Sequence, residues 1–234
     1  MKGLCLTALV AAIFLSACAT QSIAQKTVPW NQAMQKKLAD YGWYSHEKLA
    51  PYFAKENLPY APKNIAFLVF KNTKKFEVYA RSNTHQSWKY IKTYPIYAAS
   101  GGAGPKLHEG DDQVPEGIYH ITGLNPRSRF DLSMHLNYPN QFDRAEAQAD
   151  HRHHLGGDIF IHGDRRSIGC IALGNEAIEQ LFPLVYAVGE HHVTVVIAPN
   201  DLRRERPLAS HEHPRWMPTL YAKLSHELAA FPLV

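Results

Sequence analysis

Cysteine is scarce in this sequence, with three residues in 234, at positions 5, 18 and 170. The first two lie in a segment that starts with the basic Lys2, continues through an apolar run from position 4 to 15 and ends in small residues before Cys18. This order is typical of an export signal, and the run is too short for a permanent membrane-spanning helix. We therefore predict a signal peptide over residues 1–17 and one free thiol, Cys170, in the mature chain. A single thiol excludes an intramolecular disulfide.

The tetrapeptide Leu15-Ser16-Ala17-Cys18 resembles a bacterial lipobox, in which the cysteine becomes the lipidated first residue of the mature protein. The resemblance implies lipidation of Cys18 and a membrane anchor that does not span the bilayer. Ala19 follows instead of aspartate, which by analogy with Gram-negative lipoproteins favours the outer membrane. We expect a protein on the periplasmic side of the bacterial cell envelope. Ordinary secretion, with cleavage after Ala19 or Ala24, is the alternative.

The sequence also lacks long Lys/Arg runs, zinc-finger spacing, internal repeats and low-complexity tracts. We therefore predict no nucleic-acid partner. The formal net charge of +4 includes Lys2, so the mature value is about +3, which is typical of a normally solvated exterior. With 45% hydrophobic and 20% charged residues, the composition is that of a globular domain whose core is held together by burial alone.

Three segments of the mature chain differ in pattern. Residues 18–62 are expected to form a tether and an N-terminal helical segment. Residues 63–200 carry the alternation of strands, and residues 201–234 are expected to form a C-terminal helical extension, with a helix over about 217–230. The sequence thus predicts one mainly β domain with peripheral helices.

The apolar alternation predicts individual strands within the central segment. Residues 65–70 and 76–80 flank a polar stretch and are typical of a hairpin. Further strands are expected over residues 90–98, after Pro115-Glu116-Gly117, over 158–162 and around 193–197. The stretch from 125 to 156, rich in His, Asp and Arg, is expected to be a loop. Asn175 is expected to cap a helix that starts at Glu176.

Cys170 follows His162 by eight positions across a turn, in Ile161-His162-Gly163-Asp164-Arg165-Arg166-Ser167-Ile168-Gly169-Cys170. Alternation in the preceding strand is expected to direct His162 away from Ile159 and Ile161. A free thiol has a pKa of about 8.5, so it needs a neighbouring imidazole to become a nucleophile at neutral pH. The pair therefore favours a cysteine enzyme.

Glycines bracket the turn between the two residues. Gly163 lets the chain turn sharply after the strand, and Gly169 lets the backbone approach a substrate beside the thiol. Backbone amides from Ser167 to Cys170 are candidates to stabilise a developing oxyanion, a contact worth about 3 kcal/mol when well aligned. Ser167 is expected to orient the turn. The alternative is that Cys170 is a small buried hydrophobe and His162 a core histidine.

Further motifs accompany this pair. His162-Gly163 followed by Ser167-Ile168-Gly169-Cys170 resembles the signature of the L,D-transpeptidase, or YkuD, catalytic domain. The resemblance covers about residues 63–200 and is closest to the YafK-like branch of that family. The motifs that carry it upstream are Ser100-Gly101-Gly102-Ala103-Gly104-Pro105-Lys106, Gly110-Asp111, Pro115-Glu116-Gly117-Ile118-Tyr119 and Tyr138-Pro139-Asn140-Gln141-Phe142-Asp143-Arg144.

The resemblance implies a YkuD-like β-sandwich and an acyl-enzyme formed at the third residue of the peptidoglycan stem peptide, usually meso-diaminopimelate. It assigns Cys170 the role of nucleophile and His162 that of general base, with a backbone carbonyl near Gly163 holding the other ring nitrogen. The amides of Gly169 and Cys170 become oxyanion donors. No metal or organic cofactor is expected.

Two positions depart from the common transpeptidase pattern. Ile168 stands where most members have histidine, and Ala172 where they have arginine. YafK-like members share this altered pattern and are associated with an amidase that releases murein-linked lipoprotein from diaminopimelate. The resemblance therefore favours hydrolysis, with peptidoglycan stem peptides and murein-linked lipoprotein as partners. Cross-link formation, attachment of protein and L,D-carboxypeptidase activity are the alternatives.

Arginine side chains are candidates to replace the missing family arginine, because guanidinium groups bind carboxylates well. Arg144 and Arg165 are the first choices, the former for its motif and the latter for its place in the turn. Asp164 is a candidate ligand for a diaminopimelate amine, and Ser167 completes the predicted substrate-binding set. The other candidates are Arg127, Arg129 and Arg166.

Proteins of other mechanistic classes are alternatives to the cysteine enzyme. A metal hydrolase would use His151, His153, His154 and His162 with Asp150 and Asp158, but their spacing matches no helical zinc motif. A non-catalytic lipoprotein would use the same groove to hold stem peptide. Papain-like and NlpC-type peptidases usually have the cysteine before the histidine, so the order here argues against them.

Overall fold

The computed structural model describes residues 29–234, so the predicted signal peptide and Cys18 lie outside the described residues. Four helices lie in this range: α1 Trp30–Lys55, α2 Gln141–Ala149, α3 Asn175–Val188 and α4 Met217–Leu228. The strands are β1 Asn64–Phe70, β2 Lys75–Arg81, β3 Lys89–Pro95, β4 Ala98–Ala99, β5 Gly117–Ser128, β6 Asp131–Leu136, β7 Phe160–His162, β8 Ile171–Ala172 and β9 Val193–Ala198. No helix within 29–234 is both long and apolar enough to cross a membrane.

The nine strands of the described chain form one curled sheet in the order β3-β2-β1-β9-β5-β6-β7-β8-β4. β5 joins its two halves, because residues 117–120 pair with β9 and the remainder of the strand pairs with β6. The neighbours β1 and β9 are parallel, as are β7 and β8. The predicted mainly β fold with peripheral helices is confirmed.

Helices cover both faces of the central strands. In β1, Ile65 and Phe67 belong to a core shared with α1 and α3, whereas Ala66 and Leu68 belong to a second core that includes residues of α4. A strand buried on both faces needs apolar residues at successive positions, which is why β1 is a continuous apolar run. The helices at both ends of the chain thus pack on the same sheet, and the predicted boundaries at 62/63 and 200/201 stay a prediction.

The predicted hairpin is present as β1 and β2, but the stretch from 125 to 156 is not a loop. It contains the end of β5, all of β6 and all of α2. Leu132, Met134 and Leu136 alternate and are fully buried, a two-residue period that the surrounding charged residues obscure. Helix α2 starts with a capping box, in which the Asn140 and Asp143 side chains each accept from the other's backbone amide.

Asn175 does not cap α3 as predicted. The helix begins at Asn175 itself, and Gly174 occupies the N-cap position without a side-chain hydrogen bond. The Asn175 side chain instead accepts a hydrogen bond of 2.8 Å from the backbone amide of Asp164. A residue with capping propensity is thus used to hold the turn between β7 and β8.

A buried ion pair fixes the loop between β4 and β5. Nζ of Lys71, just after β1, lies 3.2 Å from Oε1 of Glu116 and donates to the carbonyls of Gly104 and Val114 at 3.0 and 2.9 Å. The same carboxylate oxygen accepts from the Gly104 amide at 2.8 Å. Both side chains are almost inaccessible to solvent. Burial lowers the pKa of Lys71, and the charge of Glu116 opposes that shift.

Lys71→Ala leaves the Glu116 carboxylate buried without its cation. We expect the free energy of unfolding to fall by about 3–5 kcal/mol, measured by urea denaturation. Lys75→Ala, an exposed lysine on the neighbouring strand, is the control and should change it by less than about 0.5 kcal/mol. The double variant Lys71→Met with Glu116→Leu should recover most of the loss. Equal free energies of unfolding for Lys71→Ala and Lys75→Ala would contradict this role of the ion pair.

Candidate active site

His162 is the last residue of β7, and the side chains of Ile159 and Ile161, which alternate before it, are buried in the core. Ile159 and Ile161 belong to the core shared with α1 and α3, whereas the His162 ring packs on Phe130 with ring centroids 4.6 Å apart. Nδ1 of His162 is hydrogen bonded to the carbonyl oxygen of Gly163. Because a carbonyl only accepts, Nδ1 carries the hydrogen and Nε2 is left as the acceptor.

Gly163 has no room for a side chain. A Cβ at this position would lie 2.5 Å from the Phe130 carbonyl oxygen and 2.8 Å from Oδ1 of Asn175. The turn that follows is closed at its base by backbone hydrogen bonds from Leu173 to His162 and from Gly174 to Asp164, both 2.9 Å. Close packing of this glycine therefore brings the end of β7 against the start of α3.

Cys170 immediately precedes β8 and is partly exposed. Its Sγ lies 3.7 Å from the carbonyl oxygen of Asp158. Gly169 has a φ of 103°, a left-handed conformation that side chains rarely adopt. Ile171 and Ala172, which follow Cys170 directly, pair with β4 on one side and with β7 on the other, so the thiol precedes a strand that is held on both sides.

The protonation states of the two residues follow from their burial. Burial lowers the pKa of His162 below its usual range, and the hydrogen bond with Gly163 partly opposes this shift. Burial raises the pKa of the Cys170 thiol, although the charge of Lys106 acts in the opposite direction. At neutral pH the pair is therefore a thiol and a neutral imidazole. A neutral imidazole with Nε2 unprotonated has the form required of a base.

Cys170 and His162 line one cleft with a volume of about 420 Å³. Its other lining residues are two arginines, two large apolar residues and one serine: Arg129, Arg166, Phe130, Ile168 and Ser167. Ile168 is 82% exposed at this cleft. Phe130 was not predicted, and nothing in its sequence neighbourhood indicates that it packs on the histidine. The cleft is thus lined by a thiol, an imidazole and two arginines.

Two serines bind the backbone around the thiol. Oγ of Ser167 accepts from the Cys170 amide at 3.1 Å and donates to the Cys170 carbonyl at 2.6 Å. Oγ of Ser100 accepts from the Gly169 amide at 2.5 Å and lies 3.1 Å from Oγ of Ser167. The amides expected to be oxyanion donors thus donate to serine oxygens. The sequence placed Ser100 in a motif of the family resemblance but gave it no role.

The other predicted substrate-binding residues lie outside this cleft. Arg144 is on α2 and donates from Nη1 to the Pro139 carbonyl. Arg165 lies over the Tyr97 ring, with its Cζ 4.4 Å from the ring centroid. Arg165 and Asp164 line a neighbouring cavity of about 570 Å³. The Asp164 carboxylate also pairs with Arg166 at 3.1 Å, which links the two cavities through one ion pair.

The candidate metal ligands do not converge. Within residues 29–234 no three His, Cys, Asp or Glu side chains form a group that could hold a metal ion. Asp150 instead accepts from Nε1 of Trp216 at 2.7 Å and pairs with Arg152 at 3.3 Å. These contacts join the end of α2 to the start of α4, so Asp150 has a structural role.

Comparison with known proteins places this site in a family. Residues 64–197 match the model of YkuD, the L,D-transpeptidase catalytic domain. Over 136 residues the chain is 33% identical to YafK of Escherichia coli (strain K12), a protein provisionally named as an L,D-transpeptidase. That match covers 56% of this chain and 52% of YafK, and the same values hold for YafK of Escherichia coli O157:H7. The chain thus spans about half the length of the curated relatives it matches.

Two solved structures are also similar. The helical cell shape determining protein Pgp2 from Campylobacter jejuni is 24% identical, with a TM-score of 0.47 over 69% of this chain and 54% of that chain. Bd1075 from Bdellovibrio bacteriovorus is 24% identical, with a TM-score of 0.44 over 72% of this chain and 55% of that chain. Because the family model matches more than half of the sequence, and YafK is its relative at 33% identity, this chain belongs to the YkuD family of L,D-transpeptidase catalytic domains, in its YafK-like branch.

Proposed function

We propose that this protein is a cysteine-dependent peptidoglycan enzyme that attacks the diaminopimelate carbonyl of a stem peptide through Cys170. Within that chemistry we propose the YafK-like amidase reaction, which releases murein-bound lipoprotein with water as the final acceptor. The observation that carries the proposal is the cleft that Cys170, the buried His162 and two arginines line together. We further propose that the enzyme acts on the periplasmic side of the envelope, anchored through Cys18.

The reaction requires two proton transfers, and His162 is suited to both. Nε2 takes the thiol proton while the sulfur forms a bond with the substrate carbonyl carbon. The imidazolium then protonates the leaving amine as the C–N bond breaks, which leaves a thioester on Cys170. His162 next removes a proton from water, whose oxygen attacks the thioester, and the thiol leaves with its proton restored. The carbonyl of Gly163 holds Nδ1 throughout.

Oxyanion stabilisation is assigned to the backbone amides of Gly169 and Cys170. Each amide donates to a serine oxygen, so an oxyanion must share these donors with the serine oxygens. Two amides held in the same turn are suited to this task because their positions are fixed before the reaction.

Arg129 and Arg166 are the candidates to bind a stem-peptide carboxylate, because they are the arginines that line the cleft. Ala172, at the position of the usual family arginine, is fully buried in β8 and leaves this task to other residues. Guanidinium groups bind carboxylates through two parallel hydrogen bonds. Substrate contacts by Arg144, Arg165, Asp164 and Ser167 stay predictions from the sequence.

Removal of the nucleophile tests the proposed chemistry. We expect Cys170→Ser and His162→Gln each to lower turnover of lipoprotein-linked sacculi by about 10²-fold or more, because both acyl transfer and proton transfer depend on them. Mass spectrometry of the products, with and without an amine acceptor, separates the outcomes. Free lipoprotein supports the amidase, and new diaminopimelate cross-links favour transpeptidation. Full turnover by Cys170→Ser, or activity lost on chelation and restored by zinc, would contradict the thiol mechanism.

The neutral resting pair predicts a particular pH dependence. Since the pKa of Cys170 is raised and that of His162 is lowered, alkylation of Cys170 by iodoacetamide should accelerate about tenfold per pH unit from pH 6 to 8. Turnover should reach a plateau above about pH 6.5 and decline only below it, as His162 becomes protonated. Peptide mass spectrometry measures alkylation at this cysteine alone. Rapid alkylation that is constant from pH 5 to 8 would instead indicate a preformed thiolate and imidazolium.

Carboxylate binding is tested with glutamine substitutions. We expect Arg129→Gln and Arg166→Gln each to raise KM for a stem peptide by about tenfold, the loss of one charge-assisted contact worth about 1.5 kcal/mol. Arg215→Gln, at an exposed arginine before α4, is the control and should leave KM unchanged. The same substitution at Arg144 and Arg165 tests the expectation from the sequence. A rise in KM only in those two variants would refute the assignment to Arg129 and Arg166.

A further inference from the structure

Ser100 contacts the nucleophile turn from a distant part of the chain. It lies 69 positions before Gly169, just after β4, and its Oγ accepts the Gly169 amide hydrogen at 2.5 Å. Its own amide lies 3.3 Å from Oγ of Ser167, and the two hydroxyl oxygens lie 3.1 Å apart. Three contacts therefore join Ser100 to the residues that precede Cys170.

The direction of the hydroxyl contact follows from counting hydrogens. A serine hydroxyl has one hydrogen and two lone pairs. The hydrogen of Ser167 is donated to the Cys170 carbonyl at 2.6 Å. In the contact between the two hydroxyls Ser100 is therefore the donor, and Oγ of Ser167 shares its two lone pairs among this hydrogen and the amides of Cys170 and Ser100. The lone pairs of Ser100 remain available to the Gly169 amide. The result is a chain of hydrogen bonds from Ser100 through Ser167 to the backbone of Cys170.

The backbone of Ser100 is itself held firmly. Its carbonyl accepts from the Val114 amide at 3.2 Å, and the carbonyl of the preceding Ala99 accepts from Nζ of Lys74 at 2.7 Å. The Val114 carbonyl in turn accepts from the buried Lys71. Ser100 is thus connected to the sheet on one side and to the turn on the other.

We infer that Ser100 is a positioning residue, whose hydroxyl holds the turn 167–170 so that Cys170 faces His162 in the cleft. Gly169 adopts a left-handed conformation, and glycine has many other conformations available, so this turn needs an external contact to stay in one of them. Ser100 supplies that contact without lining the cleft. The role rests on the proposed acyl-enzyme function, because positioning matters for a nucleophile that reacts.

The test compares Ser100→Ala with Ser100→Thr in the full chain. In Ser100→Ala we expect turnover of stem peptide to fall about tenfold or more, with KM within about twofold, because a misaligned nucleophile loses rate and not substrate affinity. Alkylation of Cys170 by iodoacetamide at pH 8 should rise about threefold, since the partly buried thiol becomes more accessible. Ser100→Thr keeps the hydroxyl and should retain wild-type values of both.

The control is Ser225→Ala, at an exposed position on α4, which should change neither rate. Thermal denaturation verifies that each variant is folded. Wild-type turnover and alkylation in Ser100→Ala would overturn the inference, and so would faster turnover, which would mean that Ser100 obstructs the Gly169 amide. If the unaltered protein does not process stem peptides, the proposed function fails. In that case, alkylation of Cys170 that is faster in Ser100→Ala than in the unaltered protein and in Ser225→Ala would still establish that Ser100 holds the turn.

Discussion

The buried ion pair between Lys71 and Glu116 is the contact on which the geometry of the site depends. It lies at the end of β1 and holds both ends of the loop 104–116 through backbone groups of Gly104 and Val114. Two charges removed from water are stable only when each has its partner and its hydrogen bonds, so loss of either side chain alone leaves an uncompensated buried charge. The Val114 amide donates to the Ser100 carbonyl, and the Ser100 hydroxyl accepts from the Gly169 amide in the turn that carries Cys170. The ion pair is therefore connected to this turn through hydrogen bonds.

Burial also decides the chemistry of the reacting pair. The same partial exclusion of water lowers the pKa of His162 and raises that of Cys170, so both residues are neutral at rest. The enzyme is then expected to create the thiolate only when the substrate is bound and the proton moves to Nε2.

Local sequence patterns predicted many of the strands correctly, and each wrong prediction has a specific physical cause. The β1–β2 hairpin follows from two apolar runs around a polar turn, and β9 follows from the alternation of Val193, Val195 and Ile197. In contrast, the segment that forms β6 was predicted to be a loop, because it lies in a stretch rich in His, Asp and Arg. Asn175 was predicted to be the N-cap of α3, but its side chain accepts a hydrogen bond from the Asp164 amide. That contact forms only when the chain after the turn packs back against the end of β7.

The sequence by itself determined the family and the candidate site: one thiol, one histidine at a fixed spacing, the bracketing glycines and the family motifs around them. These are properties of residue identity and short spacing, which do not require knowledge of the fold. Only the tertiary structure decided that Arg129 and Arg166 line the cleft while Arg144 and Arg165 lie outside it, that His162 is buried, and that Ser100 is hydrogen bonded to the turn. Each of these depends on burial or on contacts between distant segments, and both arise only when the sheet curls and brings those segments together.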